Sequence, residues 1–189
     1  MASQSNSESL ISYNDFKKSL INCGFNLPLH KREKYNGLVG ALPKAKITTK
    51  DELAMFLANI YHESGGLHYT TETNPRDDYE GGRNYCGRGY IQLTHKSNYK
   101  AASYDLYDDD RLVRRPNLVS EDEDVAWATT AWFWRKNVHQ SGRMDFDKTI
   151  ERINPIDTPT QTRKRRQYHD IIRGVLGLPD MPHHISYYT

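Results

Sequence analysis

No apolar run in this chain approaches the roughly 18 residues that a bilayer span requires, so a soluble protein with no membrane partner is expected. Cysteine is scarce: Cys23 and Cys86 permit one disulfide or two free thiols and fix no compartment. A one-signed charge excess is also missing, since a formal +2 is too small to imply nucleic-acid binding. The local runs Arg163-Lys164-Arg165-Arg166 and Asp108-Asp109-Asp110 read as solvated faces, and no aromatic platform interleaves the basic one. Gly87-Arg88-Gly89 lacks the Lys-Ser/Thr that would make it a phosphate loop, and His183-His184 in a tail is ordinarily solvated, so neither cofactor nor metal is expected. Met1–Ser9 has neither a basic n-region nor an apolar h-region, so secretion would require another route or a signal already removed.

What is present fits one domain. Hydrophobic residues make up 37% and charged residues 26% of 189 residues, enough for a core under a wet surface. Residues 1–9 should be disordered, 10–178 should form the domain, and 179–189 should be a loose tail. Tyr13, Phe16, Leu20 and Ile21 have helical spacing, and a second helix is expected from about Lys31 to Ala41, closed by Leu42-Pro43. Thr49-Lys50-Asp51-Glu52 reads as a capping box opening a helix over 50–63, with Leu53, Phe56, Leu57 and Ile60 on one face and Gly65-Gly66 as its stop. Tyr90–Thr94 alternates with period two, like a short strand with Gln92 and Thr94 on one side. Ser120-Glu121-Asp122-Glu123 reads as a further capping box before Trp127, Ala131, Trp132 and Trp134. A basic helix is expected from about Thr162 to Val175, after a loop at Asn154-Pro155 and Thr158-Pro159.

One carboxylate is oddly placed. At about 100° per residue, Glu63 shares the apolar face of Phe56 and Ile60, and it ends its helix. Desolvation and the negative end of the helix dipole both raise the pKa of such a group. A carboxyl that holds its proton near neutrality suits a general acid for glycosidic cleavage, whereas a helix-terminal residue bathed in water would do nothing. Gly65-Gly66 would let a bulky polymer approach the backbone. Glu72 follows nine residues later in a polar segment and should stay ionised, as a general base must; Asp77, Asp78 and Glu80 compete for that role. Inverting hydrolysis asks for two carboxyls about 6.5–9.5 Å apart.

The stretch Ala54-Met55-Phe56-Leu57-Ala58-Asn59-Ile60-Tyr61-His62-Glu63-Ser64-Gly65-Gly66 resembles the A-x-F-L-A-x-x-x-H-E-[TS]-G-G signature of glycoside hydrolase family 19. Tyr85–Thr94 (YCGRGYIQLT) resembles its Y-x-G-R-G-x-I-Q-[LI]-[ST] signature, extended by Asn98-Tyr99. Arg115-Pro116-Asn117-Leu118-Val119 and Ala131-Trp132-Phe133-Trp134 resemble its N-P-x-L-V and W-x-W segments, with arginine in place of the asparagine. The resemblance implies a mainly α, lysozyme-like, two-lobed domain with a small β element at the cleft, and Glu63 and Glu72 on opposite walls. It implies a monomeric chitinase acting on chitin or chitooligosaccharides, with an endolysin on peptidoglycan and a non-catalytic glycan-binding relative as alternatives. Residue by residue, it implies Glu63 as general acid, Glu72 as general base and Thr94 as holder of the attacking water. His62, Gln92, Asn98, Tyr99 and Asn154 then match substrate-binding positions. An arginine of the last helix should pair with the acidic centre; counting back from Leu176-Gly177 places it at Arg165, while anchoring on Tyr168 places it at Lys164. Departures are Asn154-Pro155-Ile156 for an I-N-G-G turn, Cys86 and Ser97 for aromatics, and a short segment between Glu72 and Tyr85 that implies a shallow cleft.

Overall fold

The computed structural model describes residues 10–140 and 144–181, so the expectations for residues 1–9, for His183-His184 and for the end of the C-terminal tail lie outside it. The helices are α1 (Tyr13–Asn22), α2 (Lys31–Lys44), α3 (Lys50–Ser64), α4 (Lys96–Tyr107), α5 (Arg111–Arg114), α6 (Leu118–Glu121), α7 (Glu123–Phe133), α8 (Phe146–Ile153) and α9 (Pro159–Val175). A single 3-10 turn spans Arg83–Tyr85, and a π turn, Trp134–Val138, extends α7. This is a mainly α, lysozyme-like fold. No described helix is long and apolar enough to cross a membrane.

The centre is α3, whose residues from Glu52 to Tyr61 are all buried. A helix covered on every side needs apolar residues around its whole circumference, and Leu53, Ala54, Met55, Phe56, Leu57, Ala58 and Ile60 supply them. α9 packs along it, with α1 and α8 beside the pair; α7 instead gathers α2, α4 and α6 into a second group. Phe56 meets Trp134 edge to face at 5.1 Å, tying α3 to the end of α7. Cys23 and Cys86 are free and buried, and burial pushes the Cys23 thiol up to about 12.

Three local readings are corrected by tertiary partners. Thr49 does cap α3, its Oγ1 accepting from the Glu52 amide at 3.2 Å. The Glu52 carboxylate, however, accepts from Trp134 Nε1 at 2.9 Å and meets His139 Nδ1 at 2.7 Å, rather than reaching back to the cap. Likewise α7 is capped by Asp122, not Ser120, while Glu123 accepts from Tyr90, Trp127 and Lys34. Buried or half-buried acids take the strongest donors in reach, and interior indole, phenol and ammonium groups outcompete an exposed amide. The expected strand at Tyr90–Thr94 is a turn: Arg88 and Leu93 exchange backbone bonds at 3.1 and 2.8 Å, and Gln92 has a φ of 55°. Tyr90 and Ile91 are both buried, which an alternating strand with one wet face cannot achieve. Among the described residues, β structure is limited to the bridges Thr71–Arg88 and Arg88–Leu93.

α9 begins at Pro159, earlier than expected, because Thr158 and Gln161 form a reciprocal capping box with proline at the first position. The helices α4 and α8 have no counterpart among the sequence expectations. Asp145 announces α8 by accepting from the Asp147 and Lys148 amides.

α2 carries two glycines in opposite circumstances. A Cβ on Gly37 would lie 2.3 Å from the Trp127 ring, whereas one on Gly40 would meet nothing within 4 Å. Gly40→Ala should therefore stabilise the protein by about 0.4–1 kcal/mol through helix propensity. Gly37→Ala should destabilise it by about 1–3 kcal/mol through overpacking. Urea unfolding of both variants checks the opposite signs.

Candidate active site

Glu63 occupies the last turn of α3, which Gly65 ends in the left-handed conformation with a φ of 57°. Space for a passing polymer is not what Gly65 and Gly66 provide. A Cβ on Gly65 would strike the Tyr69 ring at 2.6 Å, and one on Gly66 would strike Phe25 at 2.4 Å.

The Glu63 carboxylate accepts from Arg165 Nη2, so of the two basic residues considered Arg165 is the one that reaches the acid. Lys164 instead lies over the Tyr168 ring at 5.9 Å. The same guanidinium donates from Nε to Asp157 Oδ2 at 2.7 Å and from Nη1 to Asn59 Oδ1 at 3.2 Å. Asn154 Nδ2 donates to Asp157 Oδ1 at 2.6 Å and so steadies the second carboxylate. Exposure separates the two acids: Arg165 is fully buried and the Asp157 side chain is 3% exposed, but that of Glu63 retains 15%. Burial raises the Glu63 pKa, and the Arg165 charge and hydrogen bond oppose the rise without cancelling it. His62, half-buried beside this group, is lowered to about 4 by burial and then by Arg165, so it is neutral across the physiological range.

The second carboxylate is positioned by loops. Glu72 N donates to Gly87 O at 2.9 Å and Gly89 N to Thr70 O at 2.8 Å, pinning the segment after α3 onto the 88–93 turn. The Glu72 carboxylate accepts from the Tyr79 hydroxyl at 2.6 and 2.8 Å and from Gly87 N at 3.2 Å. Its competitors are exposed and otherwise engaged: Asp77 with Arg83, Asp78 with Arg76, Glu80 with Ser97.

Thr94 Oγ1 donates to Gln92 O at 2.7 Å, Asn98 Nδ2 to Thr94 O at 2.8 Å, and Gln92 Nε2 to Gly89 O at 2.9 Å. These three half-buried side chains shape one turn, on which Gln92 and Thr94 are linked through backbone rather than ranked along a strand. Tyr99 is a correction: it is fully buried, its hydroxyl donates to Cys86 O at 2.7 Å, and it offers no surface to a substrate. The buried Arg88 of the Gly-Arg-Gly run reaches Asn84 O at 2.8 Å and Tyr99 Oη at 3.1 Å, stitching the turn from inside.

No sequence pattern singles out Asp157 or Tyr79, because their partners are distant or on loops of undefined course. Asn59 had a signal, lying one helical turn before Glu63 on the same face. Among the described residues no group of His, Cys, Asp and Glu could hold a metal ion.

The lysozyme-like helical domain thus carries one desolvated carboxyl, Glu63, on a helix end and a second, hydrogen-bonded carboxylate, Glu72, on the loop beyond it. The chain belongs to glycoside hydrolase family 19: the family's model, described as chitinase class I, matches residues 69–176. That span includes Glu72, Thr94, Asn154, Asp157 and Arg165, while Glu63 lies just before it. Chitinase 4 of Oryza sativa subsp. japonica is 32% identical over 137 residues, covering 67% of this chain and 47% of that protein. The chain spans about half the length of the curated relatives it matches. In structure it is similar to the family GH19 class IV chitinase from Zea mays, with a TM-score of 0.73 and 27% identity over 92% of this chain and 96% of that one. Chitinase C from Streptomyces griseus HUT6037 gives a TM-score of 0.68 and 28% identity over 92% of this chain and 79% of that one.

Removing the guanidinium would leave Glu63 and Asp157 facing each other without a cation. Arg165→Ala should cost about 3–5 kcal/mol at pH 7.5, as expected for breaking a buried pair. Glu63 then loses the charge and hydrogen bond that oppose the burial-driven rise of its pKa, so at this group the native state binds more protons than the unfolded one and stability falls as pH rises. Urea titrations should show the deficit relative to the parent shrinking at pH 5, with Lys164→Ala within about 0.5 kcal/mol of the parent.

Proposed function

We propose that this protein is an endo-acting chitinase that cleaves β-1,4 bonds between N-acetylglucosamine units by a single inverting displacement. The observation that carries the reading is Glu63, a carboxyl with residual solvent access whose pKa burial raises while Arg165 fixes its orientation. Family membership and the printed names of the relatives, all chitinases, support chitin as the substrate class over peptidoglycan. Retention of both carboxyls argues against a purely binding role. Nothing in the reaction asks for a second copy, and the chain acts as a monomer in this reading.

In the reaction, Glu63 gives its proton to the leaving glycosidic oxygen as the bond to the anomeric carbon breaks. Water attacks that carbon from the opposite face and yields its proton to Glu72, whose orientation Tyr79 and Gly87 N–H hold. Thr94, with its proton committed to Gln92 O, keeps oxygen lone pairs free to accept from that water. Neutral His62 and the amides of Gln92, Asn98 and Asn154 serve sugar hydroxyl and acetamido groups.

Glu63→Gln should bind chitooligosaccharide normally and turn it over at least about 10²–10⁴-fold more slowly, since the amide is isosteric but has no acidic proton. In the parent enzyme kcat/KM should fall on the alkaline side as pH rises through the raised Glu63 pKa. A rate that survives Glu63→Gln would move the acid elsewhere.

The first-formed product should be the α-anomer, and Thr94→Ala should lower kcat with little change in KM. Proton NMR of fresh hydrolysate reads the anomer before mutarotation; a β-anomer would remove the water-activating role from Glu72.

A further inference from the structure

Six large hydrophobic side chains are exposed among the described residues, and two of them, Tyr69 at 64% and Ile156 at 81%, flank the Glu63 network. Single exposed apolar residues are ordinary. Their placement here is not scattered.

Tyr69 lies on the segment between Glu63 and Glu72, its ring against the Gly65 backbone, so close that a Cβ there would be 2.6 Å from Cδ2. Its backbone is pinned from both sides: Tyr69 N donates to Ser64 O at 2.9 Å, and the next residue, Thr70, accepts from Gly89 N at 2.8 Å. The ring therefore has a fixed seat and an open outer face. Ile156 caps the turn from Asn154 to Asp157, where Ile156 N donates to Asn154 Oδ1 at 3.4 Å and the next carboxylate holds Arg165. Pro155 limits the turn further by fixing its own φ. Tyr69 thus packs on Gly65, two residues beyond Glu63, and Ile156 immediately precedes Asp157, which shares the Arg165 guanidinium with Glu63.

A β-1,4-linked hexosamine carries its polar substituents equatorially, which leaves both faces of each ring lined by axial C–H groups. Those faces match seated, solvent-exposed apolar side chains, and burying an aromatic face against them releases water from both. We propose that Tyr69 and Ile156 form an apolar grip on the sugar rings next to the scissile bond, Tyr69 by stacking and Ile156 by covering a ring face or acetamido methyl. They determine affinity for the polymer without taking part in proton transfer. The proposal rests on the chitinase reading.

The test is calorimetric titration of the hexamer of β-1,4-N-acetylglucosamine into Glu63→Gln protein, where turnover is blocked. Adding Tyr69→Ala should weaken Kd about tenfold and Ile156→Ser about threefold, while Tyr69→Phe stays within about twofold. With Glu63 intact, Tyr69→Ala should raise KM by a similar factor and leave kcat within about twofold. Melting temperatures should move little, since Ile156 is almost wholly exposed and Tyr69 buries only the ring face seated on Gly65. Unchanged Kd and KM in Tyr69→Ala and Ile156→Ser would overturn the grip while leaving the enzymatic reading intact. If the parent neither binds the hexamer nor releases product from chitin, the enzymatic reading fails and the grip with it.

Discussion

The guanidinium of Arg165 is the contact on which the site depends. It is fully buried on α9, and a cation removed from water persists only when acceptors surround it. Asp157, Glu63 and Asn59 provide them from the 154–157 turn and from α3, so one side chain locks three pieces of chain. A lysine could not do this, because a point charge lacks the planar fork that engages several acceptors at once. The arrangement also sets the charge balance at Glu63. Asp157 takes the Nε bond and shares Nη2 with Glu63 at 3.3 Å, so the guanidinium's influence is divided. Burial therefore prevails, and the Glu63 pKa stays above its ordinary value despite an adjacent cation.

Glu72 is organised on the opposite principle. Among the described residues it forms no ion pair; a phenol and a backbone amide donate to it from loops. Those loops are firm because Arg88 and Tyr99, both buried, bond to backbone carbonyls inside the 84–93 segment. Loops commonly carry chemistry on a rigid scaffold. Here the scaffold for the first carboxyl is α3 against α9, and for the second it is a turn nailed to the start of α4.

Much was legible along the chain because the relevant forces are local. The five expected helices rest on caps, apolar spacing or glycine and proline stops, and the α1, α2, α3, α7 and α9 segments form, although α2 runs through Pro43 to Lys44 instead of closing at Leu42-Pro43. Thr158-Pro159, expected as loop, is instead the cap and first residue of α9, with Gln161 completing the capping box. Glu63 could be singled out because a helix face is fixed by period alone. The failures share a different cause: Glu52 and Glu123 left their helix caps for Trp134 and Tyr90, partners that are distant in sequence.

The sequence by itself determined a mainly α domain and the helix that presents Glu63, since period, capping and turn chemistry act within a few residues. Only the tertiary structure decided that Arg165 rather than Lys164 meets the acid, that Asp157 and Asn59 complete its shell, and that Tyr79 orients Glu72. It also decided that Tyr90–Thr94 turns instead of extending and that Tyr99 is interior. Each of these depends on which buried charge or hydroxyl finds which partner across the core. That choice follows from desolvation and packing among segments brought together by folding, and no one-dimensional pattern encodes it.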